Sequence, residues 1–105
     1  MNGFIYKITN RVNNKVYIGQ TRFTIEHRFK QHIKNYNIEH RQQALYKAFD
    51  KYGIENFVVE QVEECPIEKL DEREIYWIAY YDSFKSGYNS TLGGKSGCKY
   101  FFTDN

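Results

Sequence analysis

Two tyrosines eleven positions apart, Tyr6 and Tyr17, sit in neighbouring segments, 3–8 and 15–21, with Asn13-Asn14 as turn material between them. A hairpin would be held by Phe4, Ile8, Val16 and Ile18 alone; the tyrosines add two phenolic hydroxyls near one end of a small sheet. Further along, Arg28 and His32 are four apart, hence neighbours on one helix face, and they border the apolar stripe of Ile25, Phe29 and Ile33. A later helix carries Glu74. At about 100° per residue, it falls within the stripe of Ile67, Leu70, Trp77, Ile78 and Tyr81, which aims a carboxylate at the core. A buried carboxylate must find a cation, accept several hydrogen bonds or be protonated. An internal salt bridge meets that demand, and so does a divalent metal ion. Guanidinium matches phosphate oxygens in geometry and charge, and carboxylate binds a hard metal, so the set suits a phosphodiester. Taken singly, each residue has a plainer explanation: strand-forming tyrosines, a hydrogen-bonded boundary histidine, an arginine paired with a carboxylate.

The hairpin resembles the GIY-YIG nuclease family, with Ile5-Tyr6 matching the first half of the motif and Tyr17-Ile18-Gly19 the second. Phe4 stands where the family has its first glycine, and Gly3 lies one residue outside it. The resemblance covers nearly the whole chain. It implies site roles for Tyr6, Tyr17, Arg28, His32, His40 and Asn89, the last within Gly87-Tyr88-Asn89, and metal binding by Glu74. The Gly-Tyr-Asn segment followed by Gly93-Gly94 is most similar to the intron-encoded homing and phage-type branch. The implied activity is hydrolysis of DNA phosphodiester bonds by a metal-dependent endonuclease, with one Mg²⁺ or Mn²⁺ on Glu74 and with phosphate and water completing the shell. Tyr6 is the expected general base, Arg28 and the metal favouring its phenolate against an ordinary pKa of about 10. Tyr17 and His32 are expected to position the water or relay its proton, and Asn89 to orient Glu74 or the backbone of the site. DNA is the expected partner, and the isolated domain is expected to be monomeric, intracellular and cytoplasmic in a bacterial, phage or viral host context. A non-catalytic nucleic-acid-binding module with the same fold, and an adaptor whose basic half binds a protein, are the other classes open to this sequence.

Composition narrows the setting. A chain of 105 residues makes one domain, expected over residues 1–97, with 98–105 as a tail or the start of a linker. The longest apolar or aromatic run, residues 75–81, is far short of the roughly 20 residues that span a bilayer, and no charged and then apolar leader opens the sequence. Cys65 and Cys98 lack C-x-x-C spacing and imply neither a disulfide framework nor a zinc site. His27 and His32, five apart, diverge on a helix. Gly93-Gly94-Lys95-Ser96 lacks the earlier glycine of a phosphate loop, because Asn89 stands there. The net charge of +2 conceals an asymmetry: residues 1–50 balance to +6 and residues 51–105 to −4, which points the first half towards a polyanion.

The elements that must position these residues follow from periodicity and punctuation. Ile25, Phe29 and Ile33 predict a helix over about residues 24–35 with Thr24 as N-cap, followed by a polar stretch over 37–43. Leu45, Phe49 and Tyr52 predict a second helix stopped by Gly53. Residues 56–63 alternate as a third strand, with Phe57, Val59 and Gln61 on one face and Val58, Glu60 and Val62 on the other. Pro66 suits the first turn of a long helix reaching about residue 81, and residues 85–97 read as a Gly- and Ser-rich loop. The order β-β-α-α-β-α reads as α+β, a small three-stranded antiparallel sheet flanked by helices.

Overall fold

The computed structural model describes residues 1–39 and 43–93. His40, Cys98 and the expected tail at 98–105 lie outside the described residues. The elements are β1 (Asn2–Asn10), β2 (Val16–Thr21), α1 (Ile25–Glu39), α2 (Ala44–Tyr52), β3 (Phe57–Pro66) and α3 (Leu70–Tyr81), with single 3-10 turns at Ile54–Asn56 and Ile67–Lys69. The expected order and class hold. The three strands form one antiparallel sheet in the order β2-β1-β3.

Because β1 is central, its alternation feeds two cores. Tyr6 and Ile8 pack with Leu45, Tyr46, Phe49 and Phe57 beneath α1 and α2, while Ile5 packs with Val16, Ile18, Leu70 and Ile78 beneath α3. Each fully buried aliphatic or aromatic side chain stabilises by roughly 1.5–3 kcal/mol, so β1 is pinned from both sides. The turn after β1 closes through the Asn10 N–H to Lys15 O bond at 2.9 Å, with Asn14 at φ 64°, a left-handed position asparagine tolerates. The resulting register sets Tyr6 opposite Gly19 and Ile8 opposite Tyr17.

The helices begin and end for identifiable reasons. Thr24 caps α1 as expected, its Oγ1 accepting the His27 N–H at 3.1 Å. The helix continues into the polar stretch, to Glu39, and Tyr36 there packs edge-on against Phe49 and Tyr46 of α2. Tertiary packing thus outweighs weak local propensity. Gly53, at φ 89°, stops α2 by donating its N–H to Phe49 O at 3.0 Å.

Two boundaries around β3 differ from the sequence expectation. The strand runs on to Pro66, because a bulge at Val62 lets Tyr6 pair with Gln61 and Ile5 with Glu63. An inserted residue reverses the facing of everything beyond it, so Phe57 and Val59 serve the α1/α2 core while Cys65 serves the other. Pro66 therefore ends a strand, paired with Asn2, instead of opening a helix; β3 is an edge strand, where a missing N–H is tolerated. α3 starts at Leu70 after the 3-10 turn and is clamped to β3 by Glu63, whose Oε1 accepts from Arg73 Nε at 2.7 Å and Trp77 Nε1 at 2.8 Å. Those bonds, Trp77 foremost, hold the Glu63 carboxyl below its ordinary range. Residues 82–93 form no regular element, in line with the expected loop. No helix among the described residues is long and apolar enough to cross a membrane.

The tightest approach in the hairpin is at Gly19, where an added Cβ would lie 2.3 Å from both Cζ and the hydroxyl of Tyr6. The ring is 1% exposed and has no open side to move into. Gly19→Ala should therefore destabilise the protein by about 1–3 kcal/mol, the range for overpacking a filled core. Urea unfolding measures this; a change below about 0.5 kcal/mol, the size of an ordinary surface substitution, would mean that the ring is not held there.

Candidate active site

The hairpin register places Tyr6 and Tyr17 diagonally on the α1 side of the sheet, ring centroids 6.3 Å apart. α1 lowers His32 onto them. Its Nε2 lies 2.8 Å from the Tyr6 hydroxyl and its Nδ1 lies 3.1 Å from the hydroxyl of Tyr46 on α2, while its ring meets that of Tyr17 edge-on at 5.3 Å. His32 is 2% exposed. Burial, with the nearby Arg28 charge adding to it, pulls the imidazole pKa down to about 3. His32 is thus neutral, one nitrogen donating and the other accepting, so one of Tyr6 and Tyr46 donates to it and the other accepts.

Arg28, one turn before His32 and half-buried, donates from Nη1 to Gln31 Oε1 at 3.2 Å. Its charge opposes the upward pKa shift of both phenols but does not overcome it. Burial, then Tyr17, keeps Tyr6 well above its ordinary value; burial, then Glu74, pushes Tyr17 up to about 12. Of the two charges expected to favour a Tyr6 phenolate, Arg28 alone does not outweigh desolvation, and without the metal Tyr6 is a neutral phenol.

Glu74 arrives from the opposite face of the sheet. Gln20, on β2, donates through Nε2 to Glu74 Oε1 at 3.0 Å and to Asp71 Oδ1 at 2.7 Å. The carboxylate is half-buried and does not point into the core as the stripe suggested. The count from Ile67 runs through a 3-10 turn, and the face that α3 buries is centred on Leu70 and Ile78, leaving Glu74 at the margin beside β2. Asn89 closes that margin. Its Oδ1 accepts the Ile18 N–H and its Nδ2 donates to the Ile18 carbonyl, both at 2.8 Å, while the Tyr88 N–H bonds Val16 O at 2.9 Å. Asn89 thus pairs with β2 as a neighbouring strand would, so of its two expected tasks it performs the ordering of backbone.

Tyr17, Glu74, Asn89, Gln43, Ser90 and Thr91 line a pocket of about 330 Å³. Its carboxylate, hydroxyl and amide groups are the donor types that suit a hard cation. Among the described residues no three His, Cys, Asp or Glu side chains cluster as a metal cage, so a cation here would hold to Glu74 and take its remaining ligands from phosphate and water. Three participants escape sequence reading: Tyr46, Gln20 and Asp71. Tyr46 follows Leu45 on the buried face of α2, and a polar-tipped aromatic beside that stripe was the available signal; Gln20 and Asp71 are brought to Glu74 only by the packing of α3 against β2.

The fold and the site together define a small α+β domain that gathers phenols, imidazole, guanidinium and carboxylate at one sheet edge. A family model described as the GIY-YIG catalytic domain matches residues 2–89, and the chain belongs to that family. Intron-associated endonuclease 1 of Enterobacteria phage T4 is 39% identical over 92 residues, an alignment covering 85% of this chain and 37% of that protein, so the chain spans little more than a third of its relative. A mutant form of the catalytic domain of intron endonuclease I-TevI superposes with a TM-score of 0.80 at 35% identity, covering 90% of this chain and 98% of that one. A second structure of the catalytic domain of homing endonuclease I-TevI gives 0.74 at 34% identity, covering 83% and 96%.

The buried neutral histidine has a consequence for stability. Unfolded, His32 takes up a proton near pH 6.5; folded, it does so near 3. Between those values the unfolded chain holds the extra proton, so stability present above pH 6.5 is lost as pH falls, at up to about 1.4 kcal/mol per unit. The groups facing the ring are Tyr6, Tyr17, Tyr46 and Arg28, none of them an acid that could hold the charged form. Urea unfolding of the wild type and His32→Gln across this window should give a steeper pH dependence for the wild type. Parallel dependences would show that His32 is not held neutral.

Proposed function

We propose that this domain is a metal-dependent endonuclease that hydrolyses DNA phosphodiester bonds, of the homing or phage type. The observation that carries the reading is convergence: Arg28 from α1 and Glu74 from α3, on opposite faces of the sheet, both act electrostatically on the hydroxyls of Tyr6 and Tyr17. A cation, an anion and two proton-bearing groups around one point form the arrangement a phosphoryl centre needs. The names of the phage T4 relative and of the I-TevI domain, both endonucleases, support the reading. A monomer is the proposed working unit of the isolated domain. A DNA substrate places its action inside the cell.

Glu74 would hold one Mg²⁺ or Mn²⁺, which when bound supplies Lewis-acid stabilisation of charge on the phosphate. Arg28 would bind the phosphate oxygens and favour the charge that grows on them. Tyr6 remains the general base, with its proton given a route. Its hydroxyl lies 2.8 Å from His32 Nε2 and takes a hydrogen bond from Arg28; as a water yields a proton to Tyr6, Tyr6 would pass its own to His32. Imidazolium is unfavourable in the free protein through burial first and Arg28 second, and an incoming phosphate would offset the Arg28 share. Tyr17 would position the water, and Asn89 would keep the Tyr17–Gly19 backbone in place. His40, the remaining family position, is proposed to contact the substrate backbone.

Glu74→Gln keeps volume and removes the charge a divalent ion requires. Nicking of supercoiled plasmid in Mg²⁺ should fall by more than about 100-fold, beyond the usual effect of outer-shell groups; near wild-type nicking would remove Glu74 from the site. Tyr6→Phe deletes one hydroxyl beneath His32 and should lower the single-turnover rate by about 10² to 10⁴, the range for a general base. A larger loss in Tyr17→Phe would exchange the roles of the two tyrosines.

A further inference from the structure

A second concave basic surface lies outside the cluster described above. Between the β1–β2 turn and α2 runs a groove of about 320 Å³ whose wall carries Lys15, Lys47 and Lys51 and no carboxylate. Lys47 and Lys51 are one helical turn apart, about 6 Å along the axis at 1.5 Å per residue, and Lys15 faces them from the end of the turn. None of the three makes an ion pair with another described residue, although Lys7, Lys69 and Arg73 do. Concentrating like charge in a hollow costs self-repulsion, so an anion binding there gains from every lysine at once.

The groove lies beside the pocket at Glu74. Ala44, Gly87 and Tyr88 line the groove, and their chain neighbours Gln43 and Asn89 line the pocket. The floor between them is rigid: Tyr88 O–H is held by Asn10 Nδ2 at 3.0 Å and Asn13 Nδ2 at 3.2 Å, and its N–H by Val16 O. On the far flank of the cluster, Arg28 shares a separate hollow of about 430 Å³ with Lys30 and Lys34. The site thus adjoins basic surfaces at Arg28 and at the groove, which suits a linear polyanion.

We infer that the Lys15–Lys47–Lys51 groove is a binding site for the phosphate backbone of the DNA substrate, engaging it to one side of the phosphate that is cut. The inference rests on the endonuclease reading and adds to it a location for affinity separate from the chemistry. Lysine as a mobile point charge contacts phosphate without reading sequence, so the groove contributes to binding on any sequence and sets where the duplex lies.

The test is a salt series of binding to a short duplex by fluorescence anisotropy, in Ca²⁺ to prevent cutting, with wild type, Lys47→Gln/Lys51→Gln and Lys69→Gln. Glutamine keeps the polar, extended side chain on an exposed helix face, and circular dichroism confirms the fold. Loss of two phosphate contacts should lower the slope of log affinity against log salt by about 2. Lys69, paired with Glu72 on the 3-10 turn and α3, should leave the slope unchanged. A double variant with the wild-type slope and affinity, in a protein that binds and nicks DNA, overturns the groove alone. A wild type that neither binds nor nicks DNA overturns the groove together with the function on which it rests.

Discussion

The close passage of the Tyr6 ring over Gly19 is the constraint on which the rest of this domain depends. Only a residue without a Cβ lets β2 approach that ring, and only the β1–β2 register puts such a residue there. With the ring fixed, its hydroxyl has one place to point, and His32 meets it at 2.8 Å. That bond joins the packing of Ile25, Phe29 and Tyr36 in seating α1, the helix that carries Arg28. An equivalent packing limit acts on the opposite face: a Cβ on Gly3 would meet Leu70 at 2.7 Å and Thr21 O at 2.8 Å, so the glycine of this hairpin's start is fixed by the seat of α3. Phe4, the departure from the family motif, is half-buried beside it and leaves Tyr6 undisturbed.

A three-stranded sheet has two edges, and this protein treats them differently. The outer edge of β3 ends in proline, which cannot recruit a further strand. The outer edge of β2 is capped at Val16 and Ile18 by the Tyr88 backbone and the Asn89 side chain. A carboxamide satisfies both a donor and an acceptor on Ile18, which an aspartate could not do without setting a carboxylate against a carbonyl. The cap stops where Gly19 and Gln20 begin. Groups from α1 on one face and from α3 on the other can therefore meet around a strand end, which a central strand would have separated.

Much of this was legible because it follows short-range rules. The hairpin, the Thr24 cap, the Gly53 stop and the α+β order come from turn chemistry and periodicity, and the structure keeps them. Family resemblance, more than any single residue, brought Tyr6, Tyr17, Arg28, His32, Glu74 and Asn89 to attention, and the fold sets the first four around one hydroxyl pair and the last two around one pocket. What stayed hidden needs tertiary information. The Val62 bulge leaves no mark on alternation until Ile5 and Tyr6 are seen to pair across it. The placement of Glu74 depends on a 3-10 turn that shifts the helical count, and the bonds from Gln20 join residues 51 and 54 positions apart. The strength of the resistance of Tyr6 to ionisation is hidden too, because charge is visible in a sequence and desolvation is not.

Desolvation also bears on how such a site stays inactive without DNA. The Tyr6 and Tyr17 phenols resist ionisation and the imidazole between Tyr6 and Tyr46 resists protonation, so among the described residues the resting cluster carries no internal charge beyond Arg28 and the carboxylates on its rim. Each group disfavours the charged form chiefly through low solvation, and neighbouring charge adds a smaller share that a different part of the substrate complex would offset. A phosphate beside Arg28 offsets the repulsion against imidazolium, and a cation on Glu74 offsets the repulsion that raises the Tyr17 and Tyr6 phenols. In the proposed reaction neither is sufficient alone, because moving the Tyr6 proton creates an imidazolium and taking the water proton requires an oxygen ready to accept it. In that scheme proton transfer would be least costly when nucleic acid and metal occupy the site together.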